Sequence, residues 1–358
     1  MPGNKIFLGV ALDYADRAKA HARSQILKGS TQPENNALPY TRFDALDEGT
    51  DAVRKLEDER VADRLASNTL EDSSLVRFET TLDITSKYSI GSCHELAIHA
   101  FDFMLQMQPN INAEIFSLSG GDHEFLVLNR EKDSIPGSPD TWGPNAVICD
   151  PWANHVYPAS SYRTKLRAYV FDEEHKENLT AKFDPEKHRL KLSCYNTEYF
   201  QRIRTVDYLK ENFSEQAGEI ISTLREYKNQ LLGEQERLKN KPQKESIIAH
   251  KIQAIDDTLH LLDERISDSM DVEYRLPSRQ QNYNAAKAEL MASLNTIKQT
   301  ASQVMQFSKA EKDILYKHSN VLSKVGILGK TDTEVHLEEI ADRANAQLAQ
   351  SQKHGMRM

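Results

Sequence analysis

Cysteine is one of the scarcest residues in this sequence. The 358-residue chain has three cysteines, Cys93, Cys149 and Cys194, and an odd, sparse set is a poor framework for disulfides. The absence of a Cys-x-x-Cys pair argues against a structural zinc site, and we expect neither a metal nor another cofactor. The cysteine content therefore favours a protein that works in a reducing compartment.

Long apolar runs and excess positive charge are also lacking. The N-terminal run Ile6–Leu12 ends after seven residues at Asp13, whereas a membrane span needs about 20 apolar residues. No small-residue cleavage pattern follows this run, so we expect no signal peptide. The net charge is -9 at pH 7, and a nucleic-acid-binding protein normally needs a basic face. We therefore expect no membrane span and no nucleic-acid partner.

The first 72 residues are mostly helical in pattern. Residues 7–28 and 43–69 are predicted to be helices, because apolar residues recur near a helical period among polar ones. A turn-rich segment, residues 31–36, joins the two helices. We predict that residues 1–72 form an N-terminal helical region that packs on the next domain.

Residues 73–200 combine one helix with several extended segments. Residues 76–80, Val-Arg-Phe-Glu-Thr, look extended because they are rich in β-type side chains. Later β-type segments are residues 113–118, 123–128 and 146–149, with Gly120-Gly121 as the turn between the first two. The mixture predicts an α+β domain.

Residues 201–358 are almost wholly helical in pattern. Apolar residues at mixed steps of three and four predict a coiled-coil-like seam on three helices. The seam residues lie at 206, 209, 213, 217, 220, 224, 227 and 231, then from Ile248 to Ile266, and then from Leu290 to Val304. With a last helix predicted over residues 333–350, the pattern predicts an all-α helical bundle.

Cys93 lies where a helix is predicted to begin. Ser92 followed by Glu95 matches a capping box, which places the helix start at Cys93. A catalytic cysteine acts as the thiolate, and the unpaired N–H groups at a helix start favour that charged form. Cys93 is therefore the candidate nucleophile.

A histidine and an aspartate lie at the ends of two consecutive predicted strands. His123 begins the segment 123–128, and Asp150 follows the segment 146–149. If these strands are antiparallel neighbours, the start of one lies beside the end of the next. Asp150 would then orient the His123 ring, and the other ring nitrogen would take the proton of Cys93. The sequence thus predicts a catalytic triad of Cys93, His123 and Asp150.

Competing side chains fit other roles better. His94-Glu95 and His99 are similar to a zinc-protease helix, but that motif needs histidines four residues apart, and these are five apart. Cys149 lies in an apolar segment and is predicted to be a core residue, and Cys194 has no evident partner in the sequence. These residues predict no zinc site and no second nucleophile.

The segments around the triad resemble those of the papain-like cysteine enzyme superfamily, which includes proteases, deamidases and transglutaminases. The matching segments are residues 91–97, 122–128 and 142–162, and the resemblance covers residues 75–165. It extends to papain-like domains of effector proteins that intracellular bacteria such as Legionella inject into host cells. The resemblance implies a catalytic domain, residues 73–200, in which the helix that carries the cysteine packs on an antiparallel sheet.

One position departs from the papain pattern. Papain places an oxyanion-stabilising glutamine six residues before its cysteine, and that position here is Lys87. We expect the oxyanion to bind the Cys93 backbone N–H and a second donor near Lys87 or Tyr88. Trp152 either shields the histidine and aspartate from water or simply packs there. The departure disfavours ordinary peptidase activity and is compatible with deamidase or transglutaminase chemistry.

The resemblance implies an enzyme that a specialised secretion system delivers into the host-cell cytoplasm. It would act on a host protein as a deamidase, protease or transglutaminase. The alternative is a protein-binding effector in which the helical domain, residues 201–358, engages a host partner and the papain-like domain is a non-catalytic scaffold. A simpler interpretation of the apolar seams opposes that alternative: the seam residues would serve only to bury the helices against each other.

Overall fold

The computed structural model describes residues 6–28, 40–66, 70–107, 111–172, 177–273, 279–316 and 332–354. The chain divides into two compact units: residues 1–64 with 73–203, and residues 65–72 with 204–358. The predicted linker over residues 31–36 lies outside the described residues, as do residues 67–69 of the second predicted helix.

The first unit contains six α-helices within the described residues. They are α1 (Leu8–Gln25), α2 (Tyr40–Ala66), α3 (Ser73–Tyr88) and α4 (Cys93–Met107), followed by the shorter α5 (Tyr162–Lys165) and α6 (Thr197–Ile203). The helix predicted over residues 7–28 is confirmed over Leu8–Gln25, whereas Ile26 is extended and Lys28 forms a β-bridge with Ile90. The helix predicted from residue 43 is confirmed by α2 as far as Ala66. α1 buries Ala11, Ala15, Ala18 and Ala22, and these small side chains let it pack closely on α4.

Residues 76–80, which the sequence predicts to be extended, are helical. They belong to α3, in which two threonines donate their hydroxyls to carbonyl oxygens of the same helix. Thr80 Oγ1 donates to Val76 O at 2.7 Å, and Thr85 Oγ1 donates to Thr81 O at 2.6 Å. β-type side chains favour a strand within a five-residue window. The burial of one helical face over all 16 residues of α3 outweighs that preference.

An antiparallel sheet of five strands lies at the centre of the first unit. Its strands are β1 (Ala113–Ser119), β2 (His123–Leu128), β3 (Val147–Asp150), β4 (His155–Pro158) and β7 (Arg189–Asn196). They lie in the order β4-β3-β2-β1-β7, and the three β segments predicted from the sequence are confirmed by β1, β2 and β3. Two further strands, β5 (Arg167–Asp172) and β6 (Glu177–Lys182), form a separate antiparallel pair.

Helices and an apolar core cover this sheet. α4 packs on β1 and β2, and α1 packs on β3 and β4. Successive side chains of a strand point to opposite faces of the sheet. The sheet also contributes to an apolar core that contains Phe116, Phe125, Trp142 and Tyr157. The predicted α+β class is confirmed.

The second unit is built from helices: α7 (Val206–Arg237), α8 (Pro242–Asp271), α9 (Arg279–Met305), α10 (Lys309–Leu315) and α11 (Asp332–His354). α7 packs against α8, α9 and α11. The seam residues Phe213, Ile220, Ile255, Leu262 and Leu290 are among those that are fully or almost fully buried. These apolar positions therefore bury the helices against each other. Within the described part of the chain, no helix is long and apolar enough to cross a membrane.

The end of the predicted N-terminal region, residues 1–72, joins the second unit. Leu70 is fully buried, and its carbonyl oxygen accepts a hydrogen bond from Asn212 Nδ2 at 2.8 Å. Glu71 forms an ion pair with Lys287. The last residues of that region thus belong with the helices that follow residue 203.

Candidate active site

Cys93 is the first residue of α4, so the helix start predicted from the sequence is confirmed. The Ser92 N–H donates to Glu95 Oε2 at 2.6 Å, which is the carboxylate half of the predicted capping box. The Leu96 N–H donates to Ser92 O at 3.0 Å and closes the first helical turn. Cys93 is half-buried, and it lies at the positive end of the helix dipole.

The sheet register brings His123 to Asp150. β2 and β3 are antiparallel, as the sequence predicts, and Leu126 pairs with Cys149. This register places Asp150 next to Phe125 and one diagonal step from His123, within reach of a side-chain contact. His123 Nε2 lies 2.7 Å from Asp150 Oδ2, and an ionised carboxylate can only accept, so the ring N–H donates.

Both partners of this hydrogen bond are shielded from water. The side chains of His123 and Asp150 are 0% and 3% exposed. The ring of Trp152, itself almost fully buried, lies 5.3 Å from the His123 ring between centroids. Asp150 Oδ1 accepts a second hydrogen bond, from the Ala153 N–H at 2.9 Å, which fixes the carboxylate.

The pKa of His123 depends on these neighbours and on Cys93. Burial alone would lower the pKa of His123, but the charge and hydrogen bond of Asp150 outweigh it. The hydrogen bond and charge of Cys93 act in the same direction, and the net effect is a raised pKa for His123. With Nε2 bound to Asp150, Nδ1 is the ring nitrogen left to exchange a proton with Cys93.

No protein-family model, curated protein or solved structure matches the chain. The case for the chemistry of this site therefore begins with the three side chains and their surroundings.

Lys87 and Tyr88, expected near the oxyanion, lie in the last turn of α3. Both side chains are exposed, and Lys87 Nζ lies 5.4 Å from the centre of the Tyr88 ring. A short connection then leads into α4. In this connection, the Gly91 N–H donates to Lys28 O at 3.1 Å. The participation of Lys87 or Tyr88 in oxyanion binding stays a prediction.

Two polar pairs beside Cys93 are not predicted from the sequence. His94 Nδ1 lies 2.6 Å from Glu124 Oε2 and links the residue after Cys93 to the residue after His123. Burial opposes the charged form of His94, but the hydrogen bond and charge of Glu124 outweigh burial and raise the pKa of His94. This pair joins the start of α4 to the start of β2.

The second pair connects α2 to the first turn of α4. Arg54 Nε donates to Glu95 Oε1 at 2.9 Å, and Arg54 Nη2 donates to Ser92 Oγ at 2.8 Å. Glu95 is 1% exposed. Sequence spacing gives no signal for Arg54, because it lies 41 residues from Glu95 in a helix rich in charged residues. For Glu95, by contrast, the capping-box pattern in the sequence does predict a role at the helix start.

The competing residues lie in separate environments. Cys149 is fully buried, as predicted for a core residue, and its Sγ donates to Ala15 O at 3.2 Å. Cys194 is exposed on β7. The buried His99 shares a hydrogen bond with Thr85 Oγ1 at 2.8 Å. In the part of the chain that the structure describes, no three His, Cys, Asp or Glu residues form a metal-binding group.

Proposed function

We propose that the protein is a cysteine acyl-transfer enzyme that acts on an amide group of a host protein. The observation that carries the proposal is the buried His123–Asp150 hydrogen bond, with the half-buried Cys93 at a helix start acting on the same His123 ring. Each part serves a known need of thiol catalysis: a base, a group that orients the base, and a charge that favours the thiolate.

The first half of the reaction forms a thioester. His123 holds the proton of Cys93 as an imidazolium, a form that its raised pKa favours. The Cys93 thiolate attacks the carbonyl carbon of the substrate amide, and the negative charge on the oxygen is stabilised by the Cys93 backbone N–H. The C–N bond then breaks while His123 gives its proton to the departing nitrogen.

The second half releases the acyl group. His123 accepts a proton from an attacking water molecule or amine, the attacking atom bonds to the carbonyl carbon, and the C–S bond breaks. If the thioester carries a side-chain carbonyl of the substrate, attack by water completes deamidation. If it carries a main-chain carbonyl, attack by water completes proteolysis. Attack by an amine forms a crosslink. Lys87 in the position of the papain glutamine favours deamidation or crosslinking over ordinary proteolysis.

The wider part of the proposal follows the resemblance to papain-like effectors of intracellular bacteria such as Legionella. The enzyme would be delivered to the host-cell cytoplasm by a specialised secretion system and would meet its substrate there. The second candidate function, partner binding by the helical domain, is less favoured because the apolar seam residues are buried within the second unit.

Intact-mass measurement on host-protein substrates tests the proposed reaction. Deamidation adds about 1 Da, proteolysis gives two fragments, and crosslinking gives a joined species. Cys93→Ala should abolish the mass change, since no thioester can form without the thiol.

Cys194→Ala is the matched control, because it removes an exposed thiol outside the proposed site, and it should keep full activity. The proposed function fails if wild type and Cys93→Ala behave identically on every bound host protein.

A further inference from the structure

Arg54 binds side chains on both sides of Cys93. Its guanidinium binds both Ser92, the residue before Cys93, and Glu95, the residue two positions after it. A second contact, from Arg54 Nη2 to Glu95 Oε2, measures 3.3 Å. Glu95 Oε2 also accepts from the Ser92 N–H at 2.6 Å. One side chain of α2 thus holds both sides of the residue that starts α4.

The same contacts neutralise a buried charge next to Cys93. Burial would raise the pKa of Glu95, but the charge and hydrogen bond of Arg54, aided by the charge of His94 and the Ser92 N–H, outweigh burial and lower the pKa to about 2. Glu95 is therefore a carboxylate at neutral pH, in the same helical turn as Cys93. An unpaired carboxylate at 1% exposure would oppose a second negative charge on the neighbouring sulfur.

The charge of Arg54 acts on Cys93 as well as on Glu95. Burial disfavours the charged guanidinium, yet Glu95 and then the charge of Cys93 raise the pKa of Arg54. Other charged groups that face this turn are Asp51 and Glu57 of α2, His94 of α4, and His123 and Glu124 of β2. Unlike these groups, Arg54 forms hydrogen bonds to both Ser92 and Glu95.

We propose that Arg54 is a positioning residue for Cys93, which holds the first turn of α4 and cancels the charge of Glu95 so that the thiolate forms beside His123. This inference rests on the proposed role of Cys93 as the nucleophile. Arg54 acts through Ser92 and Glu95, and it need not touch the substrate.

Alkylation of the full-length protein by iodoacetamide tests this role without a substrate. The rate at Cys93, measured by peptide mass spectrometry, should fall about tenfold at pH 6 in Arg54→Met, the scale of one charge–charge interaction that solvent partly screens. The rate at pH 9 should change less, because an ordinary thiol, with a pKa of about 8.5, is largely ionised at that pH without a nearby positive charge. Arg54→Lys should recover most of the pH 6 rate, since it keeps the charge.

Glu95→Gln in the Arg54→Met background tests whether Arg54 acts by cancelling the charge of Glu95 or only by supporting the structure of the helix start. Glutamine keeps a capping side chain but removes the charge that Arg54 cancels, so this double variant should regain most of the pH 6 rate. The matched control is Arg64→Met on the same helix, whose guanidinium binds Glu79 of α3 at 2.9 Å. This control should leave the Cys93 rate unchanged.

Two results would overturn the role of Arg54. One is a folded Arg54→Met protein whose Cys93 reacts at the wild-type rate at pH 6. The other is a folded double variant that stays at least tenfold slower than wild type, and this result decides the matter even where the single variant does not fold. If wild-type Cys93 itself reacts no faster than Cys194, the proposed function fails instead.

Discussion

His94 Nδ1 lies 2.6 Å from Glu124 Oε2, and each of these residues directly follows a residue of the proposed triad, Cys93 or His123. The contact crosses from the first turn of α4 to the first residues of β2, so it ties together the two elements that carry the proposed nucleophile and its proposed base. The side chains are 30% and 28% exposed, which keeps the pair partly screened from solvent.

The stability that this pair contributes should depend on pH. Because the folded-state pKa of His94 is raised, the contribution is complete below the ordinary histidine pKa of about 6.5 and is lost as the pH rises through the raised value. Glu124→Gln should lower the free energy of unfolding by about 1 kcal/mol at pH 5.5 and by less at pH 9.

Urea unfolding followed by tryptophan fluorescence measures this effect in the first unit, because Trp142 and Trp152, the two tryptophans of the chain, both lie there. In a His94→Asn background, Glu124→Gln should lose its dependence on pH. An equal effect of Glu124→Gln at both pH values in the wild-type background would contradict the prediction.

The three cysteines should differ sharply in reactivity at mildly acidic pH. A free thiol with a pKa of about 8.5 is almost wholly protonated at pH 6, whereas Cys93 has the His123 imidazolium and a helix start beside it. Burial raises the pKa of the Cys149 thiol and shields it from reagents. We expect iodoacetamide to label Cys93 at least about tenfold faster than exposed Cys194 at pH 6, with Cys149 slowest. Equal rates at Cys93 and Cys194 would argue against an activated thiol.

Asp150→Asn should disable the base while it preserves the local turn. The asparagine Oδ1 can still accept from the Ala153 N–H, but its NH₂ group would face His123 Nε2 and force the proton onto Nδ1. A ring protonated at Nδ1 cannot accept the proton of Cys93, so the pH 6 alkylation rate and the activity should fall by about 100-fold or more.

The matched control is Asp140→Asn, which alters an exposed carboxylate paired with Arg163 and should leave the rate at Cys93 unchanged. Wild-type reactivity in a folded Asp150→Asn protein would remove Asp150 from the proposed mechanism.

Gly91 should tolerate no side chain. A Cβ at this position would lie 2.7 Å from Glu95 Cβ and 2.9 Å from Ile26 Cδ1, so Gly91→Ala must displace the start of α4. We expect a loss of about 1–3 kcal/mol in the free energy of unfolding and slower alkylation of Cys93. Gly9→Ala on α1 is the control, because nothing lies within 4 Å of its Cβ, and it should be neutral or stabilising. Equal stabilities for the two variants, measured by tryptophan fluorescence, would refute the prediction.

Local sequence signals predict much of the fold because they act over a few residues. The capping pair Ser92 and Glu95 marks the start of α4, and the alternating segments around His123 and Asp150 mark their strands. The extended prediction for residues 76–80 was wrong, because a five-residue window reports side-chain preference and not the burial of a whole helical face.

The sequence by itself determined which side chains begin or end an element: Cys93 at a helix start, His123 at a strand start and Asp150 at a strand end. These are consequences of capping and periodicity, which are local. Only the tertiary structure decided the 2.7 Å contact between His123 and Asp150 and the contact of Arg54 with the first turn of α4. Strand register and the packing of a distant helix set those contacts, and both depend on the burial of side chains far apart in the chain.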